Sequence, residues 1–130
     1  MNIGLEFHDS VVRAVGESRP IIRVSFERAY LHHSVGRPGV DAGAGYIQSA
    51  ELIFRDAAAV GLSPACVGAI SDGGITVNGD AYSLLPVPFQ AKGVIEAQFV
   101  FCTGATLKIT ATTVSCTVHG TPQFVENFDA

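Results

Sequence analysis

The sequence predicts an all-β protein, an antiparallel β-sandwich or flattened barrel of about nine strands with at most one short helix. Three observations carry that prediction. Apolar and polar residues alternate in run after run, as in strands with one buried face. Residues with turn chemistry separate the runs. No long segment shows the period of an amphipathic helix.

The first run, "NIGLEF", sets Ile3, Leu5 and Phe7 on one side. "IIRVSFERAYL" then sets Ile22, Val24, Phe26 and Tyr30 on the inner face and Arg23, Ser25 and Glu27 on the outer one. Arg28 is a defect on the inner face of that reading, tolerable if its aliphatic stem lies along apolar surface. "ELIF" contributes Leu52 and Phe54. The segment Arg55 to Gly61, "RDAAAVG", is the best place for a single helical turn, although it has no clear N-cap.

Downstream, Asn78-Gly79 in "ITVNGDAY" predicts a type I′ hairpin, because both central residues must take positive φ. "SDGG" (Ser71 to Gly74) and "HGTP" (His119 to Pro122) read as further breaks. Pro86 and Pro88 in "LLPVPF" exclude a central strand there and favour an edge strand or a connector. "VIEAQFVF" buries Ile95, Ala97, Phe99 and Phe101; Thr103-Gly104 turns the chain; "TLKITA" buries Leu107, Ile109 and Ala111. "VSCTVH" follows with Val114, Cys116 and Val118.

Composition narrows the function. The 130 residues suit one domain, 1–130, with a sizeable core. The net charge is −4 and the eight basic residues are scattered, which argues against nucleic acid and against anionic membranes as partners. No apolar run is long enough to span a bilayer, and the N-terminus lacks the features of a signal peptide, so a cytoplasmic location is expected. Cys66, Cys102 and Cys116 have no metal-ligand spacing and read as free thiols. No cofactor and no bound metal are expected.

The chemistry-bearing residues cluster in two places. "EFHDS" holds Glu6, His8 and Asp9, with Glu6 and His8 facing outward and Asp9 and Ser10 suited to turning the chain by side-chain bonds to nearby backbone. "AYLHHSVGRPGVDAGAGY", Ala29 to Tyr46, holds His32, His33, Arg37 and Asp41. Its glycines lack the lysine and the following helix that a phosphate-binding loop needs. On a strand His32 and His33 point to opposite faces, with His32 inward beside Tyr30 and His33 outward. His8 and either histidine could meet across neighbouring strands, with Asp9 or Asp41 completing a metal site or an acid–base pair. No G-x-S-x-G elbow is present.

"LEFHDSVV", "AYLHHSVGRPGVDAGAGY", "LLPVPF" followed by "GVIEAQFVF", and "FVENF" near the C-terminus together carry a resemblance. The chain resembles small, uncharacterised bacterial all-β proteins that begin L-x-F-H-D-S and carry an A-Y-[LV]-H segment with a G-R-P-G loop. Some of these look like immunity proteins of bacterial toxin systems, which bind and block a toxin enzyme. The resemblance transfers no catalytic residue. The reading it favours is a non-enzymatic protein-binding module acting through the 33–45 loop and a sheet face. The alternatives are a small enzyme or metal-binding protein using His8, Asp9 and His32 or His33, and a structural or assembly subunit that pairs with its own copies.

Overall fold

Long antiparallel strands build the molecule, and a computed structural model describes residues 1–129. Strand β1 spans Asn2–Ser18, β2 Ile21–Ser34, β3 Gly43–Arg55, β4 Ala58–Val60 and β5 Gly68–Val77. The others are β6 Asp80–Tyr82, β7 Leu85–Pro86, β8 Phe89–Phe101 and β9 Thr106–Phe128. No helix occurs among the described residues. Arg55 to Gly61, the expected site of a helical turn, instead breaks one strand into two, with Asp56 at φ 48° and β3 and β4 lying one after the other along β9.

All nine strands share one sheet, in the order β6-β5-β8-β9-β3-β2-β1-β7, with β4 beside β9. One further pairing, Val11 with Ala69 and Val12 with Gly68, joins β1 to β5. It closes β1, β2, β3, β9, β8 and β5 into a ring, so the sheet is a flattened barrel. Side chains fill it. Phe7, Phe54, Phe99 and Phe101 are all at most 1% exposed, packed with Leu5, Ile22, Leu31, Leu52 and Ile95 in one continuous apolar cluster. A barrel of this size holds interior side chains rather than a channel.

Hairpins hold the second half together. Asn78 and Gly79 both have positive φ, 51° and 85°, and form the two-residue loop between Val77 and Asp80. "SDGG" is not a break. It lies inside β5, with a bulge between Ile70 and Asp72. Gly73 is there because a Cβ would stand 2.9 Å from the Phe99 ring and 3.0 Å from Phe7 Cβ. Glycine inside a strand commonly marks such a close approach. "HGTP" is likewise a bulge within β9, with Gly120 at φ 76°, rather than an end. Leu85–Pro86 forms the short edge strand expected of the proline segment, on the outer side of β1. Cys66 and Cys116 are buried free thiols and Cys102 is exposed. Burial pushes the Cys116 thiol up to about 12.

Two bulges at one level decide which residues face out. On β2 the register against β3 slips between Phe26 and Ala29, so the inner series runs Ile22, Val24, Phe26 and then Ala29 and Leu31. Arg28 therefore sits in a bulge and not on the inner face, and Tyr30 and His32 point outward, opposite to the sequence expectation. On β1 the register slips between Glu6 and Val11, and the inner series runs Leu5, Phe7, Ser10 and Val12. Bulges of this kind re-aim side chains without breaking a strand.

Candidate functional site

The β1 bulge is built around Asp9 and Ser10. Asp9 takes φ 74°, a left-handed conformation that Asp tolerates better than most residues. Ser10 is fully buried; its hydroxyl donates to the Glu6 carbonyl at 2.6 Å and accepts the Tyr30 N–H at 2.9 Å. The side chain thus bridges β1 and β2 at the point where their register slips. Its neighbours are thrown outward. His8 and Asp9 are exposed, with His8 Nδ1 3.4 Å from Asp9 Oδ2.

On the outer face beside this bulge lies a compact polar and aromatic group. Glu6 pairs with Tyr30 across the β1–β2 ladder, and His32 Nε2 stands 3.5 Å from Glu6 Oε2. That approach lacks the alignment of a hydrogen bond, and both ring nitrogens of His32 are buried without a hydrogen-bonding partner. The imidazole stacks on Phe128 at 4.8 Å and meets Tyr30 edge-on at 5.4 Å. The Tyr30 hydroxyl donates to Glu126. Gly45 lies beneath, since a Cβ there would collide with the Tyr30 hydroxyl and crowd Phe128. Burial first, then the bond to Glu126 and the charges of Glu126, Glu6 and Asp9, raise the Tyr30 pKa well above its ordinary value. The hydroxyl stays protonated and acts as a donor.

His33 faces the other way, with Leu31 and Ala44. Its ring lies 4.2 Å from Tyr46, which meets Phe124 edge-on at 5.8 Å. The structure therefore brings Glu6 and His32 together and keeps His33 apart from them. It is His32, not His33, that shares a face with Glu6.

The glycine-rich connection is shorter than the 33–45 loop expected from sequence, and it is internally hydrogen-bonded. His33 and Ser34 belong to β2 and residues 43–45 to β3, leaving only 35–42 outside strands. Asp41 closes that loop. Its carboxylate accepts the Arg37 N–H at 2.6 Å, its own N–H reaches the Arg37 carbonyl at 2.9 Å, and the Arg37 guanidinium lies 3.8 Å from it. Ser34 donates to the Ala42 carbonyl and accepts the Gly36 N–H. Arg37 and Asp41 thus partner each other, away from the histidines. Glu6, Tyr30, Glu126 and Phe128 complete the outer group. The sequence placed Glu6 outward beside His8 without giving it a role, and it did not single out Tyr30, Glu126 or Phe128 as site residues.

Burial lowers the pKa of His33 below its ordinary 6.5. The unfolded chain then binds a proton more readily than the folded one between the lowered value and 6.5. Stability from the neutral ring is complete above that window and is lost as pH falls through it. The melting midpoint should fall with pH from neutral into that range, and His33→Phe should flatten that part of the profile. A variant with the wild-type pH dependence would show that His33 does not carry it.

Compared with family models, curated proteins and solved structures, the chain finds no match.

Proposed function

We propose that the protein is a non-enzymatic binding module whose partner is a protein with a basic surface, docked on the end of the barrel where β1 begins, β2 and β3 are joined, and β9 ends. One observation carries this reading. Five of the eight large apolar residues left exposed, Met1, Val35, Val40, Phe124 and Val125, lie at this end. Isolated exposed apolar residues need no explanation, but a grouping rimmed by polar residues marks an interaction surface.

Charge supports the choice of partner. The segments 1–9, 29–47 and 123–129 carry five acids, Glu6, Asp9, Asp41, Glu126 and Asp129, against Arg37 as their one Lys or Arg. A basic partner would be steered toward this end and bound less tightly as salt rises. β8 pairs with β9 only as far as Cys116, so beyond it one edge of β9 has no strand beside it among the described residues. A partner strand could add there. The burial of both His32 nitrogens disfavours a proton-transfer role for that ring. A toxin enzyme as partner is the specific form of this reading that the sequence resemblance suggests.

The test uses a partner recovered by pull-down and then purified. Affinities are measured for wild type, Phe124→Asp, Arg37→Ala and a variant with residues 35–42 replaced by a Gly/Ser linker. All should fold. Phe124→Asp and the linker variant should bind at least tenfold more weakly, about 1.4 kcal/mol. Arg37→Ala should lose the two-pronged grip that a guanidinium offers a carboxylate. Wild-type affinity in every variant would remove this end from recognition. A concentration-dependent mass by light scattering, with no foreign partner, would favour the assembly subunit instead.

A further inference from the structure

We propose that Glu6, His8 and Asp9 form a binding site for a divalent transition-metal cation of the zinc class, held on the bulge of β1. This goes beyond the binding function above, and it departs from the expectation of a metal-free protein. On a regular strand Glu6 and His8 share a face and Asp9 points away. The left-handed turn at Asp9 changes that. It brings one ligand atom from each of the three residues within 4.8 Å of one another.

The spacing suits coordination. Donors bound to one zinc ion at about 2.0–2.2 Å lie roughly 3.3–3.6 Å apart in a tetrahedral shell. His8 Nδ1 and Asp9 Oδ2 are already 3.4 Å apart, with no ion required to draw them together. The half-buried Glu6 carboxylate lies within 4.8 Å of both, a gap that a side-chain rotation would close. The donor set of one imidazole nitrogen and two carboxylates suits zinc better than magnesium, which prefers oxygen alone. Three protein ligands leave a coordination position for water or for a group from a partner.

The surroundings favour a cation. Among the described residues the Lys and Arg ion pairs are Arg19–Glu17, Arg23–Glu51 and Arg37–Asp41. Glu6, Asp9 and the nearby Glu126 are in none of them, so their negative charge is not neutralised by a basic side chain. Two carboxylates and a neutral imidazole balance a doubly charged ion. His32 Nε2 lies 3.5 Å from Glu6 Oε2, on the side of that carboxylate away from the solvent. The backbone beneath is held by the two hydrogen bonds of the buried Ser10 hydroxyl.

The test is calorimetric titration of metal-free protein with zinc chloride in a non-chelating buffer at pH 7.5, with melting midpoints measured in parallel. Wild type should bind one zinc per chain and melt at a higher temperature with it. His8→Ala and Asp9→Asn should each weaken binding at least tenfold. Asn tolerates the same positive φ, and His8 is 62% exposed, so both variants should fold like wild type without metal. His119→Ala, at an exposed histidine on another strand, should leave binding unchanged. Magnesium chloride should bind at least tenfold more weakly than zinc. No zinc uptake, uptake that survives both His8→Ala and Asp9→Asn, or uptake lost with His119→Ala would each overturn the proposal. Partner binding by the Phe124→Asp variant is read separately, so the two ideas can fail independently.

Discussion

Phe99→Ala should cost about 3–5 kcal/mol of stability, the range for removing a fully buried aromatic ring. The ring is 0% exposed, and it meets Phe7 edge-on at 5.3 Å while Phe7 packs on Phe26 at 6.4 Å. Gly73 and Leu107 are its ladder neighbours on either side. Truncation would remove the ring's transfer free energy and leave a void bounded by Phe7 and the bare backbone of Gly73, which has no side chain to fill it. Phe99→Leu should cost less, because it keeps most of the apolar volume. Urea unfolding of the two variants checks this. A loss below about 1 kcal/mol for Phe99→Ala, outside the range for buried rings, would mean that β5 and β8 do not pack on Phe7 as described.

Ser10→Ala should cost about 2–4 kcal/mol, although it removes a single oxygen. Two part-buried backbone groups, the Tyr30 N–H and the Glu6 carbonyl, would lose the hydroxyl at once. The hydroxyl bridges them where the β1–β2 register slips, between Glu6 and Val11. An unsatisfied buried donor costs its full desolvation, so the loss exceeds that of an ordinary hydrogen bond. Ser10→Thr, which keeps the hydroxyl but adds a methyl group to a fully buried site, should show an intermediate loss. Hydrogen exchange offers a local reading. The Tyr30 amide should exchange faster in Ser10→Ala, while amides of the β8–β9 hairpin should change only with global stability. Unchanged stability together with unchanged Tyr30 exchange would remove Ser10 from the support of the bulge.

The β8–β9 hairpin was legible residue by residue. Ile95, Ala97, Phe99, Phe101, Leu107, Ile109 and Ala111 all lie inside, as strict alternation required. The Asn78-Gly79 turn was legible too, because its positive φ values are a local demand met by local residues. The β2 face was misread from Arg28 onward. A bulge adds one residue and reverses every later side chain, and the only local symptom was an arginine where an apolar residue was due. The glycines near Gly45 were misread as loop for a related reason. Their cause is not flexibility but a tyrosine and a phenylalanine from two other strands lying across the backbone.

The site shows the same division. His8, Asp9 and His32 were visible as chemistry; Asp9 and Ser10 read as turning the chain, but β1 runs on through a bulge there, with Ser10 bonded to the Glu6 carbonyl and to Tyr30 of the next strand. Glu126 and Phe128 could not be assigned to the same group, because they lie 85 and 87 positions beyond Asp41 and only the β3–β9 ladder brings them to His32. What the sequence by itself determined was the all-β class, the buried faces of regular strands and the hairpin turns, since alternation and turn chemistry act between neighbouring residues. The tertiary structure alone decided the closure of the barrel, the paired bulges of β1 and β2, and the company that Glu6 and His32 keep. Those depend on which strands lie side by side and in what register, and alternation sets which face is buried without choosing the neighbour.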